Sequence, residues 1–437
     1  MPTIFSTITS PIRSGVSVIR ISGPNTFDCL KTLGFHKTPQ HQKVSFCKIT
    51  DPKTSEIIDE TLISCFKLPH SFTGEDVAEI SIHASPFITK KIFKILSSIE
   101  NVRLAQAGEF SKRAFLNGKL DLVQAEAIPD LIAAETEAQH KQALKQLQGK
   151  LGDIYEDWRY RLIEISALIE AAIDFPDEDL PQNIIDDVES KVNILSAEIA
   201  GHLNDKKIGH KIKDGLNLAI IGAPNVGKSS LINFLAQSDV AIVSEIAGTT
   251  RDVVETHLSI AGIPLKISDT AGIRKTEDKI EQEGINRALK KAQEADIKIL
   301  LLDASGINDD DMSLADENTL IVANKIDLLD HQLNKADKEL ITISLSENIN
   351  LDFLLEKIEE KILEIIPNQN SPLITQERYR ASLEIAVENL EEFSLNKEIE
   401  LAAEDLRLTA REIGKITGKV DIENILDVIF SRFCIGK

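Results

Sequence analysis

Cysteine is scarce in this 437-residue chain: Cys29, Cys47, Cys65 and Cys434 are all it has. No two of them form a CxxC pair, so neither a zinc site nor a disulfide framework is indicated. Reduced thiols in a cytoplasmic protein are the expectation. Long apolar runs are missing too, and none approaches the roughly 20 residues that cross a bilayer. The opening stretch, MPTIFSTITSPIRSG, lacks the charged-then-apolar layout of a signal peptide. Positive charge is in deficit: the net charge of −21 argues against coating nucleic acid by charge alone. The deficit is uneven. Residues 1–120 hold 15 Lys and Arg against 10 Asp and Glu, and the remainder carries −26. A surface for nucleic acid or an anionic ligand is therefore sought in those first 120 residues or on a partner, although so small an excess also arises without function.

The length exceeds what one core organises and implies two or three domains. Residues 1–118 read as mixed α and β. GVSVIRIS and DVAEISIHA carry β-branched residues with partial alternation. PFITKKIFKILSSIE places Ile88, Ile92, Ile95, Leu96 and Ile99 at helical spacing behind a proline start. From 119 to 213 the texture turns to long helices rich in Ala, Gln, Leu and Glu, with Pro129 kinking or opening a segment. Residues 214–362 alternate short apolar strands (LNLAIIG, PLKISDT, IKILLLD, TLIVANK) with helices, the rhythm of a helix-covered parallel sheet. Residues 363–437 return to helix. The expected fold is multidomain α+β: an N-terminal α+β domain, then an α-helical domain interrupted by a P-loop α/β domain.

The strongest motif is Gly222-Ala-Pro-Asn-Val-Gly-Lys-Ser229, which satisfies G-x-x-x-x-G-K-[ST] between a strand and a helix. Backbone N–H groups and the helix N-terminus wrap phosphates there. Lys228 reaches the β/γ-phosphates, and the Ser229 hydroxyl binds Mg²⁺. Asp269-Thr270-Ala271-Gly272 ends a second strand, with Asp269 near Mg²⁺ and the Gly272 N–H near the γ-phosphate. Asn324-Lys325-Ile326-Asp327 ends a third, where an Asp carboxylate accepts guanine N1–H and N2–H₂. Gly248-Thr249-Thr250-Arg251-Asp252 lies between the first two motifs, where a switch threonine meets Mg²⁺. Four motifs in order define a GTPase of the Ras-like type. One position departs from that type. Where a glutamine after DTAG orients the attacking water, this chain has Ile273, which neither donates nor accepts. Glu277, Asp278, Glu281 and Glu283 are the nearby carboxylates, and a cation near the phosphates, with Asn225 as a candidate oxygen ligand, is a substitute for an arginine finger.

Stretches outside the α/β block carry a wider resemblance: VIRISG (18–23), SFTGEDVAEI (71–80), GEFSKRAFLNGKLDLVQAEAI (108–128), EAAIDFPDE (170–178) and FCIGK (433–437). With the nucleotide motifs, they make the chain resemble the MnmE (TrmE) family of tRNA-modification GTPases over essentially its whole length. The resemblance implies a tetrahydrofolate-binding, dimerising domain over 1–118, a helical domain over 119–213 and 363–437, and an inserted Ras-like G domain over 214–362. It implies a homodimer that works with the flavoprotein MnmG as a heterotetramer on tRNA. Together they add aminomethyl or carboxymethylaminomethyl groups to C5 of uridine 34, with GTP, Mg²⁺, K⁺ and 5,10-methylenetetrahydrofolate or 5-formyltetrahydrofolate as cofactors.

By motif position, the resemblance places the water-orienting glutamate on Glu281 and the K⁺ ligands on Asn225, Ser244, Ile246 and Thr249. Ser229 and Thr250 become the Mg²⁺ ligands. GTP contacts fall on Asn225, Val226, Gly227, Lys228, Ser229 and Ser230; on Ser244, Glu245, Ile246, Ala247, Gly248, Thr249 and Thr250; on Asp269, Thr270, Ala271 and Gly272; and on Asn324, Lys325 and Asp327. The folate residues carry over to Arg20, Glu79, Lys119 and Lys437, with Cys434 in the same tail as either a chemical or a structural thiol. Two departures stand out: His83-Ala84-Ser85-Pro86 replaces a His-Gly-Gly-Pro turn, and Ser344-Leu345-Ser346 stands where relatives have a Ser-Ala-Lys loop behind the guanine. A GTP-gated assembly or ribosome-associated factor, without modification chemistry, shares every nucleotide motif and is the competing expectation. A standalone folate-dependent transferase is a weaker one, since its chemistry needs no GTP.

Overall fold

A computed structural model describes residues 1–174, 182–237, 256–268, 294–307, 312–313, 315–329, 340–367 and 373–420, and beyond them 426, 429–431, 433, 434 and 436. In chain order the first elements are β1 (Thr3–Thr7), β2 (Ser17–Ser22), α1 (Thr26–Thr32), β3 (Lys43–Thr50), β4 (Ile57–Phe66), β5 (Val77–Ile82), α2 (Pro86–Leu96) and β6 (Val102–Leu104). Five helices follow: α3 (Glu109–Leu116), α4 (Leu122–Ala133), α5 (Glu137–Leu147), α6 (Lys150–Asp174) and α7 (Gln182–Leu203). Then come α8 (Ile208–Asp214), β7 (Leu216–Ile221), α9 (Lys228–Gln237), β8 (Thr256–Ile260), β9 (Ile263–Ser268), β10 (Ile297–Asp303), β11 (Thr319–Asn324) and β12 (Leu340–Thr342). The last are α10 (Leu351–Ile365), α11 (Glu377–Glu392) and α12 (Ile399–Thr417). The chain forms two compact units, Met1–Pro129 with Gln146–Ser196 and Ile385–Lys437, and Asp130–Lys145 with Ala197–Glu384. The multidomain α+β class read from the sequence is the observed one.

In the first unit the sheet order is β3-β4-β5-β2-β1-β6, antiparallel except for the β1–β6 pair. The period of two sends alternate residues to opposite faces. Ile19, Ile21, Ala78, Ile80 and Ile82 therefore join the core with Leu30, Ile92 and Leu96. Arg20 and Glu79, paired in register between them, turn to the other face. Pro86 opens α2, as the sequence indicates, because its missing N–H needs no partner in a first turn. The long helices α6 and α12 pack lengthwise. Arg407 donates to Glu170 and Thr417 donates to Glu156 across that seam. Near the end of the chain Leu426, Ile429, Phe430 and Phe433 are buried against Leu122, Ala125 and Phe115.

The second unit has the sheet order β12-β11-β10-β7-β9-β8, parallel except for the β8–β9 hairpin. Helices cover both faces of such a sheet, so its central strands are mostly apolar, with Lys298 of β10 buried in an ion pair with Asp316. Ile297 and residues 299–302 of β10 are all buried. Parallel strands bring their carboxyl ends to one edge, and the order changes direction at β7, which lies between β9 and β10. That is where an open α/β sheet forms its ligand crevice. Helix α5 belongs by contact to this unit: Ala138 N–H donates to Gly262 O at the β8–β9 turn (3.1 Å), and Gln139 donates to Lys213 O (2.9 Å).

A buried acid marks the α3–α4 junction. The Asp121 Oδ1 accepts Gln124 N–H at 2.6 Å, and the Gln124 side chain accepts Asp121 N–H at 2.9 Å, a reciprocal cap on α4. Burial pushes the Asp121 carboxyl up to about 6, with the Glu156 and Asp153 charges adding and N–H groups of Gln124 and Val123 opposing. A carboxyl raised on folding binds more protons folded than unfolded, so stability falls as pH rises from about 4 to 6. Asp121→Asn keeps the cap acceptor and removes the charge. A tenfold change in proton affinity is worth roughly 1.4 kcal/mol, so the substitution is expected to stabilise the protein by about 1–2 kcal/mol at pH 8 and to change little at pH 4. Thermal melts of both proteins at the two pH values check this.

Candidate active site

The loop between β7 and α9 brings the phosphate-binding motif to the crevice edge. Asn225 adopts φ 63°, a left-handed conformation that asparagine tolerates better than most residues. Lys228 opens α9 and folds back onto the loop, donating to Gly222 O and Ala223 O at 2.8 Å each. The ammonium thus sits over the hollow of backbone where phosphates are bound. Ser229 and Ser230 stand exposed in the first helical turn. A hydroxyl there is a hard oxygen donor suited to Mg²⁺ beside phosphate, and the exposed Asn225 amide offers an oxygen of the kind K⁺ takes.

The other loops at the same edge converge on that one. Asn324, buried at the end of β11, donates to Val226 O at 2.8 Å and accepts Leu345 N–H at 3.1 Å. Gly227 has φ 107°, and a Cβ there would lie 2.5 Å from the Asn324 amide nitrogen, so only glycine fits. Lys325 adopts φ 67° and pairs with Asp303, at the end of β10, at 2.8 Å. That hydrogen bond, with those from Ser305, pulls Asp303 down to about 2. Asp327 is exposed, and the Ser344 hydroxyl holds it at 2.6 Å. Asn225, Val226, Gly227, Lys228, Ser229, Ser230, Asn324, Lys325 and Asp327 are therefore gathered at one edge. Ser244–Thr250, Asp269–Gly272 and Glu281 lie outside the described residues. Asp303 and Ser305 are additions that no motif announced.

In the first unit, Arg20 donates through Nε and Nη2 to Oε1 of Glu79, at 2.9 and 2.8 Å. Phe72 and Phe110 flank its guanidinium, with ring centroids 4.9 and 5.6 Å from Cζ. Lys119 reaches the same loop, since a Cβ on Gly74 would lie 3.3 Å from its Cγ. The loop is fastened from below by Arg113, almost fully buried, which bonds both oxygens of Glu75 (3.0 Å each), Glu109 (3.0 Å) and Pro2 O (2.8 Å). Burial raises the Glu109 carboxyl, but donors from Arg103, Gln106 and Arg113 outweigh it and leave it below the ordinary value. The Arg113–Glu75 pair was missed in the sequence. Its only trace there is a pair of charges 38 residues apart. Two cations, a carboxylate and flanking aromatic rings fit a pterin with an anionic tail.

The tail meets the same region. Gly108 N–H, next to α3, donates to Cys434 O at 3.4 Å. Gly436 (φ 104°) lies against the backbone of β1, where a Cβ would be 2.1 Å from Thr7 O. Burial pushes the thiols of Cys29 and Cys65 up, to about 12 and about 11, and that of Cys47 up as well. Cys434, by contrast, is exposed. Lys437 lies outside the described residues. In the His83-Ala84-Ser85-Pro86 turn, Ser85 is extended at φ −97°, so this turn needs no glycine there. His83 is tied to Asp59 through Nδ1 (2.7 Å) and N–H (2.8 Å).

A phosphate loop closed by a guanine-reading Asn-Lys-x-Asp loop on a parallel sheet defines a P-loop GTPase. Comparison with known proteins narrows the class. Residues 3–119 match the family model of the GTP-binding protein TrmE N-terminus, and residues 122–434 match that of the MnmE helical domain. Proteins named tRNA modification GTPase MnmE are similar over the full length of both chains, at 48% identity in Rickettsia rickettsii (strain Sheila Smith) and 47% in Rickettsia akari (strain Hartford). A solved structure of Era from Aquifex aeolicus, bound to GDP and aluminium fluoride, is 26% identical over 40% of this chain and 66% of its own, with a TM-score of 0.26. The chain belongs to the MnmE family of tRNA modification GTPases.

Gly227→Ala tests the convergence of loops. The added methyl displaces the Asn324 amide and strains the backbone by roughly 1–3 kcal/mol. A melting temperature lowered by several degrees and at least tenfold weaker GDP binding are expected, measured by differential scanning calorimetry and by titration with a fluorescent GDP analogue.

Proposed function

We propose that this chain is a K⁺-dependent GTPase. With the flavoprotein MnmG, it adds an aminomethyl or carboxymethylaminomethyl group to C5 of wobble uridine 34 of tRNA, taking the carbon from methylenetetrahydrofolate. The observation that supports this reading best is the Arg20–Glu79 pair in a chain that also holds the nucleotide site. Both hydrogen bonds fall on Oε1 of Glu79, so among the described residues Oε2 is left to accept from the donor edge of a pterin. Lys119 and, in the tail, Lys437 supply cationic donors for a formyl oxygen or a glutamate tail. Cys434 is exposed and is the thiol we assign to the modification chemistry.

We assign residues 1–118 to folate binding and dimerisation, 119–213 and 363–437 to the helical domain, and 214–362 to the G domain. A homodimer has a surface to use. Phe46 and Leu62 face each other across β3 and β4 at the sheet edge, each half exposed, with Val44 beside them. An exposed apolar patch of this kind on a sheet face is the sort a second subunit covers. Among the described residues no helix is long and apolar enough to cross a membrane, and we place the protein in the cytoplasm.

In the GTPase cycle, Lys228 and the loop N–H groups bind the phosphates, and Ser229 and Thr250 hold Mg²⁺. Asn225, Ser244, Ile246 and Thr249 hold K⁺, and Glu281 orients the attacking water. Because Glu281 acts on water and not on the nucleotide, Glu281→Ala should bind GTP normally and lose nearly all hydrolysis. The cation site must fit its ion, so hydrolysis should be faster in KCl than in NaCl at equal ionic strength. Steady-state phosphate release and nucleotide titration check both, and equal rates in the two salts remove the K⁺ assignment.

The folate reading is tested by calorimetric titration with 5-formyltetrahydrofolate. The intact protein should bind it, and Glu79→Ala or deletion of Lys437 should abolish binding. The competing reading, a GTP-gated assembly factor, expects no folate binding and unaltered wobble nucleosides in tRNA from cells lacking the protein. Cys434→Ser in a modification assay separates a chemical thiol from a structural one.

A further inference from the structure

The loop that follows β12 is a small closed ring. Ser344 and Ile349 exchange backbone hydrogen bonds of 3.2 and 3.0 Å, which fix the ends of the segment between them. Ser344 is fully buried, and its hydroxyl donates to Oδ1 of Asp327 at 2.6 Å. Its oxygen also accepts Glu347 N–H at 3.2 Å. Ser346, exposed on the same ring, reaches the other carboxylate oxygen: its Oγ lies 3.2 Å from Oδ2 of Asp327 and 3.0 Å from Oγ of Ser344. Each oxygen of the guanine-reading carboxylate therefore has its own serine hydroxyl.

This matters because Asp327 is otherwise exposed, at the mouth of the site. An exposed aspartate turns freely about its last bond, and that freedom is lost on binding a base. An ionised carboxylate offers about four lone-pair positions in one plane. Two are taken by the hydroxyls, and two remain for the paired donors N1–H and N2–H₂. Fixing the plane in advance lowers the entropic cost of recognition. We propose that Ser346 is a positioning residue for guanine selection, acting with Ser344 to hold the Asp327 carboxylate in the plane that meets N1–H and the 2-amino group. A lysine at this position would carry its charge on a long flexible stem and could not supply a fixed hydroxyl at this distance.

The charges around Asp327 agree with this role. Its carboxyl is held below the ordinary value, first by the Ser344 hydroxyl, with its own N–H, Ser346 and the Lys325 charge adding and burial opposing. Lys325 is shared with Asp303, and Glu347 follows on the serine loop. Removing the Ser346 hydroxyl raises the carboxyl toward its ordinary value. Guanine binding, which needs the ionised form, should then be lost at a higher pH on the acid side.

The test uses the full-length protein with GDP and with IDP, whose base keeps N1–H but lacks the 2-amino group. Dissociation constants are measured between pH 4 and pH 8 for the wild type, Ser346→Ala, Ser346→Thr and Ser344→Ala. The loss of one hydroxyl bond to a charged partner predicts that Ser346→Ala weakens GDP about 3–10-fold. IDP should weaken less, so the GDP preference narrows, and the acid limb of GDP binding should move up. Ser346→Thr, which keeps the hydroxyl, should restore all three readouts. Equal weakening of GDP and IDP with an unmoved acid limb would mark a general disturbance of the loop and overturn the proposal. Unchanged binding, or tighter GDP binding from release of Oδ2, would overturn it as well. Ser344→Ala, the buried partner, shows in the same assay how large a serine effect on Asp327 can be.

Discussion

The side-chain amide of Asn324 holds the nucleotide site together. It is 3% exposed, donates to Val226 in the phosphate loop and accepts from Leu345 in the loop after β12. A buried amide left unpaired costs about 1–3 kcal/mol, so its two partners must arrive together. Three loops, from the carboxyl ends of β7, β11 and β12, are thereby closed around one side chain. Gly227 follows from this, since any Cβ would occupy the space of that amide. The placement of Asp327 three residues on, and of the serines that grip it, depends on the same closure.

The first unit solves a similar problem with charge. Arg113 is buried among Glu75, Glu109 and Pro2 O. Its desolvation is offset only because several acceptors surround it, and removing one partner would leave a buried charge unpaired. Glu75 also accepts from Ser22 (2.6 Å), whose oxygen lies 2.7 Å from the Thr73 hydroxyl. The segment from Thr73 to Glu75 is thus pinned to β2 and α3. Phe72 and Gly74, which alternate with the pinned residues, are left to meet Arg20 and Lys119.

How much of this was legible depends on how local the physics is. The phosphate loop could be read because eight consecutive residues do the work, and the backbone constraint shows as glycine and lysine at fixed offsets. The strands could be read because a buried parallel strand is a nearly continuous apolar run. Arg20 and Glu79 were found only through resemblance: they sit 59 residues apart, and their pairing follows from the β2–β5 register, which no short window contains. The Arg113–Glu75–Glu109 cluster had no signal beyond three common charged residues. The grip of Ser344 and Ser346 on Asp327 spans two strand ends and was visible only as a departure from a Ser-Ala-Lys pattern. Likewise, the segment around α5 has the Ala- and Gln-rich texture of its helical neighbours, while one N–H bond to a hairpin turn shows where it packs.

The paired cations explain how a chain of net charge −21 can take an anionic nucleotide. Each cation of the candidate sites that the structure describes in a bond is already held by an internal acceptor. Lys228 rests on the carbonyls of Gly222 and Ala223, Lys325 on Asp303, and Arg20 on Glu79. A ligand that arrives at Lys228 exchanges one set of acceptors for another, so the ammonium need not be collected from many solvated rotamers. At Arg20 the guanidinium holds Glu79 through two hydrogen bonds to one oxygen, Oε1, and so orients the carboxylate. The serine hydroxyls on Asp327 do the same with neutral donors. At these points the fold uses pairs rather than single charges, and the acceptor or donor that positions each group lies on a different loop. The recognition chemistry therefore depends on correct folding of the sheet edges more than on net charge.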